Sequence, residues 1–65
     1  MDYRKTNPAV IKSQLSRMEK EDFINHNKEI KAIALKLIEN NEIGNLYRSL
    51  ISIMKWSRDF YLKRF

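Results

Sequence analysis

The chain predicts an all-α fold of three helices, the second and third paired as an antiparallel helical hairpin. Three observations predict it. Apolar residues recur at three- and four-residue steps in three separate segments. No segment alternates apolar with polar residues or carries a hairpin turn signal. The single Pro and the single Gly both stand where helix punctuation would place them.

The first helix is announced by Asn7–Pro8, a capping side chain followed by Pro at the first helical position, where the missing N–H costs nothing. Ile11, Leu15 and Met18 follow at steps of four and three, giving one short apolar face. Residues 1–6 are expected as a flexible N-terminal tail unless Tyr3 packs back onto this helix, and residues 7–65 as a single small helical domain.

The second segment has the clearest pattern. At about 100° per residue, Phe23, Ile30, Ile33, Ala34, Leu37 and Ile38 fall on one side, and Lys28, Ala32, Lys36 and Glu39 on the other. Its start is open: Ser16 with Glu19 forms a possible capping box, Asp22 is a later cap, and no Gly or Pro separates it from the first helix. Glu19, Glu21 and Asp22 sit where they would stabilise the positive end of a helix. Asn40–Asn41 is the natural stop, since Asn tolerates the left-handed conformation of a helix end, and Gly44 adds freedom just beyond. So short a loop makes the flanking helices antiparallel neighbours.

The third segment runs from about Glu42 to the C-terminus. Leu46, Leu50, Ile53, Phe60 and Tyr61 share a face that Tyr47 and Met54 widen, while Arg48, Ser52, Lys55, Asp59 and Lys63 form the opposite stripe.

Sixty-five residues bury only about 60% of the surface the unfolded chain exposes, so a monomeric core would be thin and dimerisation is one way to complete it. With no Cys and a single His, the chain has no means of building a disulfide, a thiolate metal site or a catalytic centre of ordinary design. Neither enzymatic activity nor a cofactor is expected. The first segment lacks an apolar stretch of signal-peptide length, and apolar runs such as Ala32–Leu35 fall far short of the roughly 18 residues a membrane span needs. A cytoplasmic protein without a membrane partner is the expectation, although a basic amphipathic helix can lie on a membrane surface.

Charge is unevenly placed. Residues 1–45 carry eight basic and seven acidic side chains, whereas residues 46–65 carry Arg48, Lys55, Arg58, Lys63 and Arg64 against Asp59 alone. Most of the net +5 therefore belongs to the last helix, which points to an acidic partner. Met54, Lys55, Trp56 and Ser57 resemble the hydrophobic end, turn and Ser cap of a helix-turn-helix, with a recognition helix from Arg58 and Tyr61 as its buried anchor. The resemblance implies that Arg58 reaches a guanine edge and that the N–H groups beyond Ser57 meet a phosphate. Two residues depart from it: Lys55 stands where the turn favours Gly, and Asp59 would face phosphate. The competing arrangement is one uninterrupted helix through residues 54–57.

The leading expectation is a small regulatory protein, a homodimer, binding nucleic acid and double-stranded DNA in particular. Its contact residues would be Arg48, Lys55, Trp56, Ser57, Arg58, Lys63 and Arg64. Trp56, Phe60, Tyr61 and Phe65 interleave with these charges and would stack on bases only if they stay out of the core. The alternative is a protein–protein interaction module or inhibitor acting through exposed apolar residues. Ile51 and Leu62 project away from the main face of the third helix, and Ile24 and Leu35 form a second stripe on the second. These four would form a dimer interface or a docking surface for a larger protein. His26 and Asn27, on the apolar side of the second helix, read as a half-buried hydrogen-bonded His and a polar residue that sets helix register.

Overall fold

A computed structural model describes residues 2–65. It holds three helices, α1 (Pro8–Leu15), α2 (Lys20–Glu39) and α3 (Asn45–Arg64), with no strand among the described residues. Helix α3 is the central element: it packs most extensively on α2 and, to a lesser degree, on α1. Twenty residues at 1.5 Å each make α2 and α3 about 30 Å long, which matches the 34 Å long axis of the molecule.

Local chemistry accounts for most boundaries. The Asn7 side chain accepts a hydrogen bond from Ala9 N at 2.8 Å, and Pro8 occupies the first helical position. Helix α1 stops after Leu15 in a turn in which the Arg17 and Met18 N–H groups bond the Gln14 and Leu15 carbonyls. Helices α1 and α2 are therefore separate. Glu19 precedes α2 without a side-chain cap bond, so neither the Ser16–Glu19 box nor an Asp22 cap forms; the Ser16 hydroxyl donates to Ser13 O instead. Glu21 and Asp22 lie in the first turn of α2, where the helix dipole favours negative charge.

At the other end of α2, Asn41 takes the left-handed conformation at φ 57°. Its N–H bonds Ile38 O, and the Glu42 N–H bonds Leu37 O at 2.8 Å, the paired arrangement of a Schellman stop. Helix α3 starts three residues later than the apolar pattern suggests, after Gly44 in extended backbone. The loop turns the chain back, and the two long helices run antiparallel as expected.

The core consists of Ile11 and Leu15 from α1, Phe23, Ile30, Ala34 and Leu37 from α2, and Leu50 and Ile53 from α3. Ile38, which the sequence pattern places on the core side, is 45% exposed. It sits about 100° around α2 from Leu37 and so faces the flank of the hairpin.

Tyr3 completes this core at 5% exposure, the packing back for which the sequence left room. The segment is a turn in which the Asp2 carbonyl accepts from Lys5 and Thr6 N–H and the Asp2 carboxylate from Arg4 N–H. The Tyr3 hydroxyl donates to Glu29 Oε2 at 3.2 Å and bonds His26 Nδ1, tying the turn to α2. Burial, the hydrogen bond to Glu29 and the negative charge of Glu29 together hold the Tyr3 phenol protonated well above the usual tyrosine range.

That shift carries a sign. An unfolded tyrosine ionises near pH 10, while the folded phenol keeps its proton, so above that pH the unfolded state binds fewer protons and is favoured. The Tyr3 contribution is thus fully present below about pH 10 and declines as pH rises further. In Tyr3→Phe, the melting temperature is expected to fall less between pH 9 and 11 than in the natural chain. Equal falls, followed by circular dichroism, would mean that Tyr3 is free to ionise in the folded protein.

Candidate functional site

Helix α1 and the Tyr3 turn cover one side of the α2–α3 hairpin, and its other side is open. There the two long helices enclose a groove of about 350 Å³. Its apolar walls are Phe23 and Ile24 from α2 and Met54, Tyr61 and Leu62 from α3. The spacing explains the arrangement. On α2, Ile24, Lys28, Lys31 and Leu35 recur at four- and three-residue steps along one flank. On α3, Tyr61 and Leu62 follow Arg58 by three and four residues, and Met54 precedes it by four. Antiparallel pairing then brings the beginning of α2 against the end of α3, and Ile24 and Leu62 meet in one groove although they lie 38 positions apart in sequence.

The rim is cationic. Lys28 and Lys31 stand on the α2 side and Arg58 on the α3 side, all exposed. Among the described residues the one acid–base contact is between His26 and Glu29, at 3.7 Å, so none of the three rim cations has a carboxylate partner. Asp59 follows Arg58 but points about 100° further around the helix.

Two polar residues line the groove. Asn27 donates from Nδ2 to Phe23 O at 2.8 Å, one turn back on its own helix. Ser57 is 3% exposed and its hydroxyl has no hydrogen-bond partner. An unpaired buried hydroxyl costs about 1–3 kcal/mol; Ser57 is tolerated as a small residue on the buried side of α3, in step with Leu50 and Ile53.

Of the two arrangements open at residues 54–57, the structure holds the uninterrupted helix. Helix α3 runs without interruption from Asn45 to Arg64, so Lys55 and Trp56 form no turn and Ser57 caps nothing. The apolar face continues through residues 54–57, and unbroken burial outweighs a local cap signature. Ser57, being buried, is not available to a nucleic acid. Trp56 is half-buried and stacks on Phe60 with ring centroids 4.9 Å apart. The rings of Phe23, Phe60, Tyr61 and Phe65 gather beside it, in five pairings with centroids 5.5–6.5 Å apart, as an aromatic cluster at the end of the hairpin.

The five basic side chains of α3 do not form one site. Arg64 lies over the Phe60 and Phe65 rings, at 5.6 and 5.4 Å from their centroids, and its guanidinium donates to Ser16 O. Arg58 belongs to the groove rim. Arg48 and Lys55 flank a second hollow with Tyr47, Ile51 and Ser52. Lys63 is exposed further along the helix.

Of the four apolar interface candidates, the structure brings Ile24 and Leu62 into the groove. It places Ile51 one turn before Met54 on the same flank and leaves Leu35 51% exposed beyond Lys31. Lys28 and Lys31 are the site residues that the sequence reading left out. Their signal was their position between Ile24 and Leu35 on one flank of α2. Among the described residues no helix is long and apolar enough to cross a membrane. No protein-family model, characterised protein or solved structure matches the chain.

Proposed function

We propose that this protein is a non-enzymatic helical docking module whose α2–α3 groove receives apolar side chains of a protein partner. One observation carries the reading: Phe23, Ile24, Met54, Tyr61 and Leu62 form a continuous apolar hollow on the side of the hairpin that α1 does not cover. Leu62, 70% exposed, is the most open large apolar side chain among the described residues. Apolar surface gathered in a concave site is the ordinary mark of a contact surface.

A second reading, binding to double-stranded DNA, is favoured by the exposed ridge of Arg48 and Lys55, neither of which has an ion-pair partner among the described residues. With no recognition turn, this ridge offers phosphate contacts rather than base readout.

One experiment separates the two. A photo-crosslinking amino acid is placed at Leu62, at Lys55 or at Glu29 on the opposite side, and the cells that make the protein are irradiated. The expected result is a discrete protein adduct from position 62, absent from position 29 and lost when Ile24→Asp is added. Nucleic-acid adducts from position 55, with no protein adduct from 62, would establish the second reading instead. An adduct of two copies of the chain would show that the module acts as a homodimer.

A further inference from the structure

We infer that the occupant of the groove is an acidic amphipathic helix of another protein, which seats apolar side chains between α2 and α3 and sets carboxylates against Lys28, Lys31 and Arg58. The inference rests on the docking reading above and adds the chemistry of the partner.

Dimensions come first. The groove runs from Phe23 to Lys31 on α2 and from Met54 to Leu62 on α3. Eight residue-to-residue steps along either wall make it about 12 Å long. Apolar side chains at positions i, i+4 and i+7 of a partner helix span about 10 Å, so the groove accepts three such anchors from one helix face, the usual helix-in-groove arrangement. An extended peptide would gain its affinity from an open sheet edge, and this fold has no strand among its described residues.

Charge then selects among helices. The apolar walls are flanked by two lysines on one side and an arginine on the other, none of them compensated by a carboxylate among the described residues. A helix with Glu or Asp beside its apolar stripe satisfies both the walls and the rim. The same distribution argues against a second copy of the chain. A symmetric pair uses the same patch on both partners, so closing two of these grooves together would set Lys28, Lys31 and Arg58 of one copy against the same three cations of the other. Duplex DNA meets the rim but not the walls, since its phosphates offer nothing apolar to Phe23, Ile24 or Leu62.

The test uses the full chain and three stapled helical peptides of about 14 residues, stapled because free helices of this length are marginal. All carry Leu at i, i+4 and i+7, and their polar faces are built from Glu, Gln or Lys. Binding is read by fluorescence anisotropy at low and high salt, with a random-sequence DNA duplex as a fourth probe. The Glu peptide is expected to bind at least tenfold more tightly than the Lys peptide, the combined effect of a few exposed ion pairs. Salt should narrow that gap, because these charges are open to solvent. The triple variant Lys28→Gln/Lys31→Gln/Arg58→Gln should abolish the gap, and Leu62→Asp should weaken every peptide; circular dichroism confirms that both variants stay folded.

Equal affinities for the three peptides, all reduced by Leu62→Asp, would overturn the acidic partner and leave the docking reading standing. Duplex binding tighter than that of the Glu peptide and lost in the triple variant would overturn it in favour of nucleic acid. Failure of all three peptides would overturn it as well, and the docking reading would then stand or fall on the adduct from position 62.

Discussion

Leu50→Ala is expected to cost about 2–5 kcal/mol, the usual effect of removing a fully buried leucine side chain. For a domain of this size, total stability of about 3–10 kcal/mol is the normal range, so the variant should be partly or wholly unfolded at 37 °C. The size of the effect follows from position. Leu50 has no exposed surface and lies on α3, the helix that packs against both of the others. Beside it are Tyr3, Ile11, Leu46 and Ile53, contributed by the N-terminal turn, α1 and α3. A cavity at this point removes contacts from α1 and the N-terminal turn together, because both pack on α3 beside Leu50. Leu62→Ala is the matched control: the same atoms are removed from a side chain that is 70% exposed, and a change within about 0.5 kcal/mol is expected. Thermal melts followed by circular dichroism give both numbers. Similar losses for the two variants would mean that the burial pattern along α3 is not the one described.

The parts of this fold that were legible in the sequence are those set by neighbours in the chain. Asn7–Pro8 starts a helix because the cap side chain and the N–H that donates to it are two residues apart, and Asn41 ends one because a left-handed residue is a local requirement. Tyr3 was legible only as a residue able to pack back onto the first helix, since its hydrogen-bond partners His26 and Glu29 lie 23 and 26 positions away. Ile38 was misassigned for a related reason. A helical pattern gives a face but not its width, and the packing of α3 against α2 decides that a residue about 100° from Leu37 stays outside. Ser57 shows a local signal overruled: a Ser before Arg58 and Asp59 looks like a cap, yet the spacing Leu50, Ile53, Ser57 places it in the seam. The groove was half legible. Ile24 and Leu62 stood out singly as apolar residues off the main faces, but their meeting depends on the antiparallel register, as does the gathering of Lys28, Lys31 and Arg58 around them.

Lys55→Pro is expected to be as damaging as the loss of Leu50, although the Lys55 side chain is exposed. In the interior of α3 a proline removes the bond from residue 55 N–H to the carbonyl four residues earlier, and its ring clashes with that carbonyl, costing about 3 kcal/mol or more. Lys55→Ala, which keeps the backbone bond, should leave the melting temperature nearly unchanged or raise it. If residues 54–57 formed a turn, proline would be accommodated there, and Ser57→Ala would cost about 1 kcal/mol as a lost cap. In a continuous helix Ser57→Ala removes a buried hydroxyl that has no partner and should be neutral or stabilising. The pair of variants therefore reads the helix from two independent sides, backbone and side chain. The outcome also bears on function. An unbroken α3 sets Arg58 on the rim above Tyr61 and carries Leu62 to the wall opposite Ile24. A turn at residue 55 would swing everything beyond it away from α2 and present Arg58 at the start of a separate helix. A folded Lys55→Pro protein would thus dissolve the groove and restore the recognition helix, whereas an unfolded one ties the integrity of the docking surface to the same hydrogen bonds that hold the fold.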